Sequence, residues 1–202
     1  LNRAIYLRAR KVSREDLPRK VKMFMNSYSS FNSRFIGFWF SPRVNAVFRS
    51  ENLQLLNTLF LQRSILATTE SRTLEAVTKV YESARALVDK VVDIVSVEEM
   101  QHFVLVDLNN VDRYINILEN KLYNYTGLIA NQLCNMYDKT AVVICPKGLE
   151  FKGSVRDMYG RCYLPIFQKI CKAGGHNPAF GFTISILGKQ SFLDAVSRID
   201  RM

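Results

Sequence analysis

An acid and two amides, in the stretch Asp107-Leu108-Asn109-Asn110, stand directly after the apolar run Phe103-Val104-Leu105-Val106. A carboxylate beside amides can ligate a divalent cation, or it can accept backbone N–H groups. Both roles are open to Asp107. It could be a metal ligand, or it could cap the next turn by accepting N–H groups near Asn110 or Val111. The apolar run is short, rich in Val and bounded by polar residues, which reads as a fully buried strand. In a parallel α/β sheet the residues just past a strand's carboxyl end face the ligand crevice, so Asp107 is expected there.

The elements that would position this acid run from residue 103 onward. Phe103–Val106 is a strand, Val111–Tyr125 a helix with more helix to Tyr137, and Thr140–Cys145 a second strand. A helix lies within Ser154–Lys172, Gly174–Pro178 is a turn cluster, Phe180–Leu187 is a third strand and Gln190–Arg201 a closing helix. Alternating strands and helices predict a three-layer α/β domain with a parallel, Rossmann-like sheet. Three strand ends would then share one edge: Asp107–Asn110, Pro146-Lys147-Gly148 and Gly188–Ser191. Lys147 and Lys189 are the phosphate-binding candidates of that edge, although Gly188-Lys189 lacks the glycine spacing of a Walker A loop.

For metal-dependent phosphodiester hydrolysis several carboxylates must gather around Mg²⁺ or Mn²⁺. Asp107 is the first candidate. Asp112, a turn into the next helix, is the second, and Asp157, near the start of the helix within Ser154–Lys172, is the third. Glu150 and Asp194 are weaker. His102 and His176 lack an acid-base partner nearby in sequence, and no Ser-His-Asp or Cys-His arrangement can be defended from spacing.

The first hundred residues read differently. Residues 1–50 form a basic, aromatic-containing arm and residues 51–102 a helical hairpin, ahead of the α/β domain at 103–202. Residues 1–49 hold eleven Lys/Arg against two acids, residues 50–102 five against eight, and residues 103–202 twelve against eight. The net charge of +10 is therefore mostly N-terminal and predicts an anionic partner. Arg8, Arg10, Lys11, Arg34 and Arg43, with Trp39 among them, could hold phosphates and stack bases. Phe38, Trp39 and Phe40 could equally pack into a core, with Phe35–Phe40 as a strand or an apolar anchor. Leu74, Val77, Val80, Tyr81, Ala84, Leu87, Val88 and Val91 recur at helical spacing, so the hairpin at 51–95 offers a stripe to its own core or to protein subunits of a larger complex.

Four cysteines without a C-x-x-C pair, and only two histidines, disfavour a zinc site and favour buried free thiols in a reducing, intracellular compartment. No apolar run is long enough to span a bilayer. The basic, acid-poor opening without an initiating Met resembles the segment behind an organellar transit peptide, so the mitochondrial matrix is expected, with cytoplasm and nucleus as alternatives.

The strand ending in Asp-x-Asn resembles the opening of PIN-like nucleases, especially their NYN branch. The resemblance implies that Asp107 is the first metal-binding acid and that a neighbouring Asn supports it. A late strand in that family ends in a Ser-Gly-Asp-x-x-Phe motif. Here the stretch is Ser185-Ile186-Leu187-Gly188-Lys189-Gln190-Ser191-Phe192, with Lys189 where the acid would be. The implied function is a non-catalytic, RNA-associated subunit of a ribonucleoprotein or RNA-processing complex, built on a degenerate nuclease domain and needing no cofactor. An active Mg/Mn-dependent endoribonuclease using Asp107 and other acids is one alternative. A protein scaffold without RNA contact is another.

Overall fold

The computed structural model describes residues 19–25, 32, 34–61, 67–111, 115 and 121–201. The chain divides into two compact units, Leu1–Arg85 and Ala86–Met202.

The described part of the first unit is helical. It comprises α1 (Arg19–Phe24), a π-helical segment Phe35–Phe40, α2 (Ser41–Ser50), α3 (Leu53–Leu56) and a second π-helical segment Asn57–Leu61. Helix α4 (Ala67–Ile94) begins in this unit and carries the apolar stripe expected from the sequence. Pro42 sits in the first turn of α2, where its missing N–H costs nothing. Glu51 ends α2 in the left-handed region at φ 53°, and Asn52 caps α3 by accepting from Leu55 N at 3.0 Å. The core joins Phe24, Phe35, Val47, Leu55, Leu59 and Val77. The strand option for Phe35–Phe40 is not realised. Helical spacing lets Phe24 meet Trp39 and Phe40 edge-on, with ring centroids 5.9 and 5.0 Å away.

The second unit is built on a six-stranded sheet: β1 (Glu98–Glu99), β2 (Phe103–Asp107), β3 (Thr140–Lys147), β4 (Glu150–Arg156), β5 (Lys172–His176) and β6 (Ala179–Ser185), in the order β1-β2-β3-β4-β6-β5. The α/β class is as expected, but the sheet is mixed. Only β2 and β3 pair in parallel. The strands expected at 103, 140 and 180 do run in one direction, yet β4 lies between the second and third, antiparallel to both. Chain reversal takes two residues, Gly148-Leu149, with Gly148 at φ 61°. The span expected to lead through a loop into a helix is thus a hairpin, and that helix shrinks to α6 (Leu164–Phe167). The turn cluster at 174–178 is largely edge strand β5. The helix expected over Val111–Tyr125 falls mostly outside the described residues, and within them Leu122–Asn124 is a 3-10 turn. Helix α5 (Thr126–Tyr137) and the closing helix α7 (Lys189–Asp200) lie where the sequence placed them.

One sheet face buries Phe103, Leu105, Val142, Ile144, Phe151, Val155, Phe180 and Phe182 against Phe167 of α6 and Phe192 and Val196 of α7. Gly153 is required here. A Cβ at that position would stand 2.1 Å from the Phe182 ring. On the opposite face Thr126 Oγ1 of α5 hydrogen-bonds Ser154 Oγ at 3.0 Å. Asp200, buried at the end of α7, fixes that helix to the start of β2. Its carboxylate accepts the N–H groups of Gln101, His102 and Phe103 at 2.9, 2.6 and 2.9 Å. Among the described residues no helix is long and apolar enough to cross a membrane. The cysteines are free, with Cys134 and Cys145 buried, Cys171 half-buried and Cys162 exposed rather than buried as expected. Burial pushes the Cys171 thiol up to about 11.

Candidate functional site

The strand-end edge does bring Asp107 and Lys189 together, as an ion pair. Ser185, at the end of β6, accepts from Gly188 N at 3.2 Å and caps the 3-10 turn Ile186–Gly188, which delivers Lys189 as the first residue of α7. Lys189 Nζ pairs with Asp107 Oδ2 and lies 4.7 Å from the centre of the Phe151 ring. The other carboxylate oxygen accepts from Asn109 N at 3.0 Å, so Asp107 caps the turn at Leu108–Asn110. Lys147 comes to the same edge, where its Nζ stands 4.2 Å over the Tyr123 ring. Each of these charged groups has its partner within the protein.

The other acids do not join Asp107. Asp157 follows β4 and lies at the opposite end of the sheet, accepting from Thr140 Oγ1 and Arg161 N, both at 2.7 Å. Thr140 opens β3, whereas Asp107 is level with Ile144. Its pairing with Asp107 as a metal ligand is therefore corrected: β4, at roughly 3.3 Å per residue, carries Asp157 away from that edge. Glu150 is engaged by Lys152 at 3.6 Å, and Asp194 accepts from Gln190 Nε2 at 2.9 Å on the exposed side of α7. Asp112 lies outside the described residues, as do Arg8, Arg10 and Lys11. Among the described residues no group of three or more His, Cys, Asp or Glu side chains could hold a metal ion. In the first unit, Arg34 is exposed ahead of the π-helical segment, and Arg43 lies with its guanidinium 4.1 Å over Trp39.

A second constellation is absent from the sequence reading because it spans two strands that reading does not contain. On the face that carries α5, the residues of β4, β6 and β5 align in three rungs. The first is Lys152–Thr183–Lys172, the second Ser154–Gly181–Gly174, and the third Arg156–Ala179–His176. Directly paired residues point to the same side of a sheet. The outer rungs therefore raise Lys152 and Lys172 on one side and Arg156 and His176 on the other. Between them the middle rung offers nothing larger than serine. A Cβ at Gly174 would meet nothing within 4 Å, and one at Gly181 only a backbone oxygen at 3.6 Å. Gly174, Gly181, Lys172 and His176 are exposed. Lys152 Nζ donates to Thr183 Oγ1 at 2.8 Å, and Arg156 donates to Val155 O at 2.7 Å. Glu150, at 3.6 Å from Lys152, is the acid beside this trough. The legible signal was alternation: Phe-Gly-Phe-Thr-Ile-Ser places Gly181 and Thr183 on one face, and Glu-Phe-Lys-Gly-Ser-Val-Arg places Lys152, Ser154 and Arg156 likewise.

No family model matches the sequence, and no curated protein matches it. Solved structures match in fold. RecJ from Thermus thermophilus in complex with Mg²⁺ superposes with a TM-score of 0.67 at 14% identity, over 90% of this chain and 28% of that one. Its Mn²⁺ complex gives 0.64 at 14% identity, over 90% and 27%. The exonuclease RecJ bound to manganese gives 0.58 at 14% identity, over 90% and 45%. The fold is therefore RecJ-like, and the chain spans less than half the length of these relatives. This overturns the PIN/NYN resemblance, and with it the RNA-associated pseudo-nuclease function derived from that resemblance. A strand ending in Asp-x-Asn is too short a pattern to separate two α/β folds, and here it caps a turn. The RecJ structures hold divalent ions. The described residues here do not fit one, since Lys189 engages Asp107 and the remaining acids are dispersed.

Proposed function

We propose that the Ala86–Met202 unit is a binding module for a phosphodiester chain. It holds a phosphate over the Gly174–Gly181 floor, between Lys152 and Lys172 on one side and Arg156 and His176 on the other. The observation that carries this reading is the pair of adjacent glycines, Gly181 and Gly174, on a rung flanked by rungs that carry cations. Glycine in a strand weakens the strand and is kept where another group must approach the backbone closely. Lysine and arginine supply the sequence-independent attraction for phosphates, and an arginine fork matches two phosphate oxygens. Among the described residues Lys172 has no ion-pair partner, so its charge is available to a ligand. The fold shared with an exonuclease supports nucleic acid as the source of that phosphate. The role carries no metal-dependent step.

The test is fluorescence anisotropy with a labelled single-stranded oligodeoxythymidylate and the full chain. Binding is expected to weaken with salt and to persist in EDTA. Gly174→Val, which fills the floor, is expected to weaken it about tenfold or more, with circular dichroism checking that the sheet is intact. Parent-like affinity in a folded Gly174→Val protein would place the ligand elsewhere.

A further inference from the structure

Five side chains of the first unit meet in a series of contacts. Phe35 and Trp39 lie 5.8 Å apart at an interplanar angle of 20°. The Arg43 guanidinium follows, 4.1 Å over Trp39 and 4.7 Å from the Tyr81 ring. Arg85 ends the series, 5.9 Å from the same tyrosine. Arg43 has a structural role. Its Nη1 donates to Trp39 O at 3.1 Å, and its buried Nε has no partner. Arg85 has none of these contacts. It is exposed on α4, and among the described residues neither arginine has an acidic partner, although Glu82 precedes Arg85 by three residues.

A staple between helices would be complete at Tyr81. A further arginine, exposed and unpaired at the end of the series, adds a flat cationic plane with free N–H donors. Such a plane accepts a base on its face and a phosphate at its edge. The Arg43 guanidinium lies 4.7 Å from the Tyr81 ring, so that ring is already in contact before a ligand arrives.

We propose that Tyr81 and Arg85 form a second nucleotide contact, where one base of a single strand stacks and its phosphate meets the guanidinium. The ligand class rests on the phosphodiester reading of the other unit, so the experiment separates the two. Oligodeoxythymidylate binding is measured across a salt series for the parent chain and for Arg85→Ala, Arg85→Lys, Tyr81→Leu and Lys172→Glu. Arg85→Ala is expected to reduce the magnitude of the log–log salt slope by roughly 0.7, the value for one phosphate contact on a single strand. Arg85→Lys keeps the charge and should keep the slope while losing affinity through the lost plane. Tyr81→Leu removes the ring beneath Arg85 and should weaken binding several-fold while keeping the slope. Trp39, the single tryptophan, reports on the series, and its emission should change on binding in the parent but not in Arg85→Ala. If Tyr81→Leu misfolds, the exposed Arg85 variants still decide.

Parent-like affinity and slope in both Arg85 variants, with binding lost in Lys172→Glu, would overturn this contact and keep the sheet-face reading. Binding lost in Arg85→Ala but retained in Lys172→Glu would do the reverse. A parent chain that binds no oligonucleotide would overturn both.

Discussion

The strand-end edge and the glycine-floored face of the same sheet carry similar charges arranged in opposite ways. At the edge, Lys189 is taken by Asp107 and Lys147 by Tyr123. On the face, cations stand on two rungs with Ser154, Gly181 and Gly174 between them, and Glu150 lies 3.6 Å from Lys152. At the edge each of these cations has its partner built in, whereas on the face Lys172 has no ion-pair partner among the described residues. A charge whose partner is built into the fold chiefly holds elements in register. A cation without a partner of its own, as Lys172 is among the described residues, is one that an incoming anion can pair with. The location of a charged group in a fold is thus weaker evidence for function than whether the fold has already neutralised it.

The largest expected effect lies on the partnered side of that contrast, at Asp200. Three backbone N–H groups around the start of β2 converge on its buried carboxylate. Asp200→Ala leaves them without an acceptor and should cost about 3 kcal/mol of stability, as measured by urea denaturation. Oligonucleotide affinity of the fraction that remains folded should be unchanged, because these groups are turned inward.

Next in size is the face. Lys172→Ala should weaken oligonucleotide binding by about fivefold near physiological salt and flatten the salt slope, while stability moves by less than about 0.5 kcal/mol. A loss of stability without a loss of binding would show that Lys172 belongs to the edge type, and the comparison would fail at an exposed residue of the face.

The contrast also explains what was legible from sequence. The buried strand at Phe103–Asp107, the strand at Thr140, the strand after Ala179 and the closing helix were readable. Each is a continuous apolar run or a helical stripe, and tertiary packing reinforces both patterns. Strands β4 and β5 were missed, despite the alternation in β4, because Gly153, Gly174 and Gly175 argue locally for breaks. The reasons for these glycines are tertiary: Phe182 occupies the space over Gly153, and the face over Gly174 is open. Missing β4 displaced Asp157. A helix that is not there would have put it at the crevice, while the real strand ends beside Thr140. Asp107 and Lys189 were correctly brought to one edge, but their mutual pairing was invisible, since a 3-10 turn capped by Ser185 decides where Lys189 points. The glycine-floored face required two unseen strands at once, and no single run of residues encodes it.

The smallest effect is expected at Lys189. Lys189→Met keeps the aliphatic stem against Phe151 and removes the ammonium from Asp107. Asp107 retains its hydrogen bond from Asn109 N and is partly exposed, so water can replace part of the lost interaction. The cost should be about 1 kcal/mol or less, the range for ion pairs that are not fully buried. Oligonucleotide affinity should stay within about twofold of the parent, in contrast to Lys172→Ala. The same variant bears on the metal question, because it removes the one cation that holds Asp107 among the described residues. If Lys189 alone kept a divalent ion away, isothermal titration of Lys189→Met with Mn²⁺ would reveal a site absent from the parent. The expected result is no added site, since the other candidate acids among the described residues, Asp157, Glu150 and Asp194, are held elsewhere and a single carboxylate leaves most of a divalent ion's oxygen shell to water. A tight Mn²⁺ site in that variant, together with a large loss of oligonucleotide binding, would reverse the assignment of the edge as already partnered and make it the functional side of the sheet.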